Sequence, residues 1–180
     1  MAEGVATGCR SAGAVGTSPW PVCMNTDFDH LWQLVTEQFY LSEHSVHGPD
    51  HWRRVERNGL WLAEQTGADV DVVRLFALFH DSRRENDGRD QGHGARGAEY
   101  AGSLRGTAYH LPDDRFELLR YACVWHTDGQ HHDDPTIATC WDADRLDLGR
   151  VGTIPAAAYM STDFAREVAT THRTTRPFIH

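Results

Sequence analysis

Residues 70–82 read Val70-Asp-Val-Val-Arg-Leu-Phe-Ala-Leu-Phe-His80-Asp81-Ser82. At about 100° per residue, Val73, Phe76, Ala77 and His80 fall on one stripe, so the segment predicts a helix over about 70–82. Its apolar face ends in an imidazole beside a carboxylate. A carboxylate that faces a core needs a partner, because an unpaired buried charge is very costly. The His-Asp pair alone decides little. With 12 histidines and 17 aspartates in 180 residues, chance supplies such a pair, and His132-Asp133 is a second one.

The helical period extends on both sides. Upstream, Thr26 or Asp27 can cap a helix carrying Phe28, Leu31, Val35 and Phe39. Asp50 can cap another from about 51 to 66 that opens on His51. Downstream, a loop with Asn86, Asp87 and Gly88 precedes a helix from near His93 to about 105. Leu111-Pro112-Asp113 opens a fifth helix ending at His126, and Asp134-Pro135 opens a sixth that runs through Asp144 to about 149. Ile154-Pro155 and Ser161-Thr162-Asp163 mark short helices near the end. Period-two alternation never persists, so the expected fold class is all-α.

Faces matter more than the dipeptide. His51, Val55, Asn58 and Leu62 lie within about 60° of one another. His93, Gly97, Tyr100 and Leu104 share a stripe, as do Phe116, Leu119, Cys123 and His126, and also Ile137, Cys140, Trp141, Asp144 and Leu148. Asp142 lies roughly 140° from Ile137, so Asp144 rather than Asp142 is the expected inward carboxylate. Five helices thus aim a histidine or aspartate along an apolar face, and a divalent cation is a common partner for such groups. Pairing of Asp144 with an arginine such as Arg54 is the alternative.

Composition narrows the classes. Charged residues at 24% and hydrophobic residues at 40% describe a globular chain of one domain. A net charge of −9 argues against stable nucleic-acid binding. No apolar run approaches the roughly 18 residues of a membrane span, and no secretory signal is visible. None of the four cysteines forms a C-x-x-C pair, as in a cytoplasmic protein with reduced thiols. All 17 basic residues are arginine, which points to G+C-rich codons and a bacterial source. Residues 1–23, rich in Gly, Ala, Ser and Thr, read as a disordered tail.

Three segments carry a resemblance: His47-Gly-Pro-Asp-His51-Trp-Arg-Arg-Val55, Leu75-Phe-Ala-Leu-Phe-His80-Asp81 and Asp142-Ala-Asp144-Arg-Leu-Asp147. In this order and at these separations the chain resembles the HD superfamily of metal-dependent phosphohydrolases. The resemblance implies an HD domain over 24–180, a helical bundle of six to seven helices. It implies His51, His80, Asp81 and Asp144 as ligands of a divalent ion. His93 and His126 resemble the extra histidines of binuclear members such as HD-GYP proteins and cyclic-nucleotide phosphodiesterases. Histidines near these places contact substrate in mononuclear members, and both roles stay open. Two departures limit the transfer. The Gly-Lys that follows the pair in many members is replaced by Ser82-Arg83-Arg84, and no GYP segment follows His126.

His-plus-carboxylate ligation suits one or two ions of Mn, Fe, Co, Ni or Zn. The expected activity is hydrolysis of a small phosphorylated molecule such as a nucleotide, by a phosphomonoesterase or phosphodiesterase. His80 and Asp81 stand at the chemistry, and Asp81 orients water if one of its oxygens is free. Arg83, Arg84, Arg145 and His126 are candidates for holding substrate. A di-iron oxygenase and a non-catalytic metal-dependent ligand sensor are the rival readings. No membrane partner is expected, and a homo-oligomer is compatible with the sequence.

Overall fold

The computed structural model describes residues 26–42 and 44–171, so the tail expected at 1–23 lies outside the described residues. Seven α-helices follow one another, and no strand occurs among the described residues. They are α1 (Phe28–Glu37), α2 (Pro49–Thr66), α3 (Val70–Phe79), α4 (His93–Leu104), α5 (Asp113–Trp125), α6 (Pro135–Leu146) and α7 (Asp163–Thr170). Short 3-10 turns at Asp147–Val151 and Ala157–Tyr159 fill the passage from α6 to α7. None of the described helices is long and apolar enough to cross a membrane.

The helix starts follow from local chemistry. Asp27, Asp69, Asp134 and Thr162 each turn a side-chain oxygen onto free N–H groups of the first turn of α1, α3, α6 and α7. Asp50 does not cap α2 as expected. Pro49 takes the first helical position, which suits its fixed φ and missing N–H, so Gly48 becomes the cap.

At the centre is α3. Val72, Val73 and every residue from Leu75 to Phe79 are buried, leaving almost no polar face, as befits a helix enclosed by others. It packs against α1, α2, α4, α5 and α6. Each fully buried Leu or Phe here contributes about 1.5–3 kcal/mol by leaving water. Asp69, at the head of α3, is wholly buried and gripped through both carboxylate oxygens by the guanidinium of Arg115 on α5. That pair ties the far end of α3 down.

Two glycines bring α4 close enough to matter. A Cβ at Gly97 would stand 2.2 Å from the Phe79 carbonyl oxygen at the end of α3. One at Gly94 would stand 2.1 Å from the Cys123 carbonyl oxygen near the end of α5. The helix carrying His93 therefore rests on the backbone ends that carry His80 and His126. Gly97→Ala forces α4 off α3. A loss of at least ~1–3 kcal/mol, the usual cost of overpacking, is expected in urea denaturation. An unchanged midpoint would contradict so tight an approach.

Candidate metal centre

Three helices end at one place. His80 and Asp81 follow the last turn of α3, His126 is the C-cap of α5, and Asp144 lies in the last turn of α6. Helix C-termini carry unsatisfied carbonyls and partial negative charge, so their convergence favours a cation. Two helix starts complete the ring, with His51 in the first turn of α2 and His93 at the first position of α4.

The histidines use those ends. His80 Nδ1 lies 3.1 Å from both the Phe76 and Ala77 carbonyl oxygens, and His126 Nδ1 lies 2.7 Å from that of Cys123. His93 Nδ1 lies 2.6 Å from the Asp90 carbonyl oxygen, and His51 Nδ1 lies 2.7 Å from Asp147 Oδ2. Carbonyls and carboxylates only accept, so Nδ1 carries the hydrogen in all four rings and Nε2 points inward. This is how metal-ligating imidazoles are commonly oriented.

The inward nitrogens come in facing pairs. His51 Nε2 and His80 Nε2 are 3.1 Å apart, and His93 Nε2 and His126 Nε2 are 2.9 Å apart. Two bare lone pairs at such distances repel unless a cation, proton or metal ion lies between them. In each pair one ring favours the proton and the other refuses it. Burial lowers the proton affinity of His51, but hydrogen bonds to Asp144 and Asp147 outweigh it, so its pKa stands above the ordinary value. Burial pushes His80 down to about 3. Burial opposes charge on His126, yet Asp81 raises it, whereas burial and the neighbouring His126 lower His93. Each pair thus joins a ring whose pKa is raised to one whose pKa is lowered.

Asp81 stands between the pairs and is 2% exposed. Its Oδ2 lies 3.6 Å from His51 Nε2 and 3.7 Å from His80 Nε2. Its Oδ1 lies 3.2 Å from His93 Nε2 and 3.6 Å from His126 Nε2. Asp144 Oδ1 closes the first group at 3.2 Å from His51 Nε2 and 3.9 Å from His80 Nε2. Despite burial, the surrounding histidines hold the carboxyls of Asp81 and Asp144 well below the usual carboxylate range. Donor atoms close enough to share an ion thus occur in His51, His80 and Asp144, in Asp81, His93 and His126, and in His47, His51 and Asp81. Imidazole nitrogen with carboxylate oxygen is a donor set that fits a divalent transition ion.

A cavity of about 610 Å³ opens on this cluster, bounded in part by Asp81, His126, Asp144 and Arg145. A second, of about 520 Å³, reaches His93 from the other side, and Arg84 borders both.

The remaining candidates divide. Arg84 is buried and donates Nε to Asp81 Oδ1 at 2.9 Å. Arg83 lies with its guanidinium over the Tyr100 ring, 3.6 Å from the centroid, and borders neither cavity of the cluster. The chain has left the helix by that point, and successive side chains diverge. Arg145 reaches the cavity, but its guanidinium donates to the carbonyls of Gly129, Gln130 and Tyr159. Asp81 has no idle oxygen, since His47 Nδ1 holds Oδ2 at 2.8 Å and Arg84 holds Oδ1. Arg54 pairs with Asp147 at 2.8 Å rather than with Asp144. Asp142 is buried away from the cluster, accepting from the Ser161 and Thr162 amides and the Thr162 hydroxyl.

Sequence reasoning gave no role to Asp147 or Arg150. Asp147 follows Asp144 by three residues at the start of a 3-10 turn, where a spacing of three returns to the same face. That spacing was the available signal.

No protein-family model matches the chain, and no curated protein matches it. A solved structure does: the crystal structure of a protein from an uncultured Thermotogales bacterium, described as a predicted HD superfamily hydrolase. It is 25% identical, the match covers 83% of this chain and 86% of that one, and the TM-score is 0.65. The likeness, with seven helices among the described residues and the His-Asp pair at the end of the central one, supports an HD-domain protein.

Proposed function

We propose that this chain is a metal-dependent hydrolase of phosphate esters that holds two divalent ions. His51, His80, Asp144 and Asp81 Oδ2 serve the first ion, and Asp81 Oδ1, His93 and His126 serve the second. The observation that carries this reading is the pair of facing Nε2 contacts on either side of Asp81, with every Nδ1 already engaged. The hydrolase described from the Thermotogales bacterium is in keeping with it. Ions held here supply Lewis acidity to a phosphoryl oxygen and make hydroxide available near neutral pH.

The chain's own residues do the rest. His80 is fully buried with both nitrogens committed, so it acts as a ligand and not as a proton carrier. His47 and Arg84 fix the plane of the Asp81 carboxylate. Asp147 holds the His51 ring and is itself held by Arg54, an arrangement that raises ligand basicity. Leu148, Ala156 and Met160 form an apolar wall of the larger cavity that limits water near a bound ester. Thr127, Asp128 and Gln130 add polar groups to the lining of the same cavity.

Metal analysis after loading with Mn²⁺ is expected to return two ions per chain, falling to one in His93→Gln. Metal at about 100 times its Kd stabilises a fold by ~2.7 kcal/mol. For a chain of this size that raises Tm by about 2–4 °C per kcal/mol. His51→Ala should lose this shift. Binding should weaken as pH falls, because the ion must displace protons from His51 and His126. A ratio of one ion in the wild-type protein would remove the second site.

Turnover of an aryl phosphate is expected with Mn²⁺ or Co²⁺, without oxygen uptake. Asp81→Asn keeps the side-chain shape but removes the charge, and activity should drop at least ~10³-fold. Activity that survives metal removal would refute the hydrolytic reading. Oxygen consumption with iron would favour the oxygenase.

A further inference from the structure

Two largely covered guanidinium groups flank the Asp81 carboxylate, Arg84 directly at Oδ1 and Arg150 through His47, which holds Oδ2. The side chains of Arg84 and Arg150 are each 9% exposed. Arg84 donates Nε to Asp81 Oδ1 and Nη1 to the Asn86 and Gly88 carbonyls. Its Nη2 points at His93 Nε2, 3.4 Å away. Arg150 donates Nε to the Val46 carbonyl at 2.8 Å and Nη1 to that of Asp147 at 3.2 Å. Its Nη2 lies 3.4 Å from His47 Nδ1. Neither ring nitrogen serves as an acceptor in the assembled site. His47 Nδ1 already gives its hydrogen to Asp81 Oδ2, and His93 Nε2 would give its lone pair to a bound ion. Both arginines border the larger cavity, and each keeps an Nη2 amino group that no carbonyl or carboxylate among the described residues accepts.

The charge count points the same way. Around that cavity Arg84, Arg145 and Arg150 are balanced by Asp81, Asp128 and Asp144. Asp147 pairs with Arg54 at 2.8 Å and, more distantly, with Arg150 at 3.7 Å, and with Arg54 included the arginines and aspartates here number four each. Every charge brought by an ion is then left for the ligand to neutralise. One divalent ion calls for a dianion, and a second strengthens the demand. The donors add a geometric requirement: an ion and two separate guanidinium edges need three acceptor oxygens. A phosphate monoester offers three non-bridging oxygens and two charges, whereas a diester offers two oxygens and one charge.

We propose that Arg150 and Arg84 together clamp the phosphoryl group of a phosphate monoester dianion, and that the site selects monoesters over diesters. The proposal rests on the metal-dependent reading above and decides between its two ester classes. Arg145 has no part in the clamp, because its donors are bound to backbone carbonyls.

Calorimetric titration of the Mn²⁺-loaded protein with inorganic phosphate, methyl phosphate and dimethyl phosphate tests it without turnover. Methyl phosphate should bind at least about tenfold more tightly than dimethyl phosphate, and Arg150→Met should weaken inorganic phosphate at least about tenfold while Mn²⁺ affinity stays within about twofold. Arg150→Lys, which keeps the charge but loses the fork, should fall between. Should Arg150→Met fail to fold by circular dichroism, the comparison of the two methyl esters on the wild-type protein decides the question. Smaller differences overturn the clamp. Protein that takes up Mn²⁺ but ignores phosphate sinks this proposal alone, whereas protein that takes up no Mn²⁺ sinks the metal reading with it.

Discussion

Asp81 carries a negative charge where the fold is least hospitable to one. It follows the last turn of α3, beside the unsatisfied carbonyls of that helix, and the C-terminal ends of α5 and α6 converge on the same spot. Burial at 2% exposure removes the water that would screen it. Left unpaired, such a carboxylate would cost several kcal/mol or would take up a proton. The neighbours prevent both. Arg84 and His47 each bind one oxygen, and four imidazole Nε2 atoms lie within 3.7 Å of the carboxylate. Remove the cationic environment and the packing of three helix ends loses its justification. Few other positions in the chain combine such burial with so many partners.

The imidazoles are placed by the same helix ends. A histidine at or near the C-cap can donate Nδ1–H to a carbonyl three or four residues back, which meets a need of the helix and fixes the ring at once. His80 and His126 both do this, and their Nε2 atoms then lie 3.7 and 3.6 Å from the Asp81 carboxylate. Ligand geometry is thus a by-product of helix termination. It costs no extra loop, and it explains the small residues of α4. Without Gly94 and Gly97, His93 would be held too far from the helix ends it must meet.

Much of this was legible in the chain. His51, His80, His93, His126 and Asp144 lie on apolar stripes, and a helical period carries rotation faithfully over one helix. Rotation also separated Asp144 from Asp142. It did not foresee that Asp142 is buried as well, because its cover comes from the Ser161-Thr162 turn, in a passage without periodicity. Where helices stop, the reading weakens. Arg83 and Arg84 are adjacent just past α3. The turn sends Arg84 back onto Asp81 three residues earlier and Arg83 sideways onto Tyr100. Arg150 reaches back to Val46, a contact between residues more than a hundred apart that no local pattern encodes. Asp50 failed as a cap because Pro49 outcompeted it for the helix start.

The two aspartates of α6 show how the ion site and the cavity wall are joined. Asp144 turns toward the histidines, while Asp142, two residues away, turns to the other side and grips the start of α7. Burial raises the pKa of Asp142 above the ordinary carboxylate value, against the pull of the Ser161 and Thr162 donors. The chain between these anchors, from Asp147 to Met160, supplies Leu148, Arg150, Ile154, Ala156, Tyr159 and Met160 to the cavity. Both ends of that wall are therefore tied to the helix that carries Asp144. A shift of α6 large enough to move Asp144 would also drag Asp142 and, through Ser161 and Thr162, the far end of the wall. Asp147 adds a shorter link, since it binds His51 with one oxygen and offers its carbonyl to Arg150. Whatever positions Asp144 beside the histidines thus also sets the width of the cavity that opens on them.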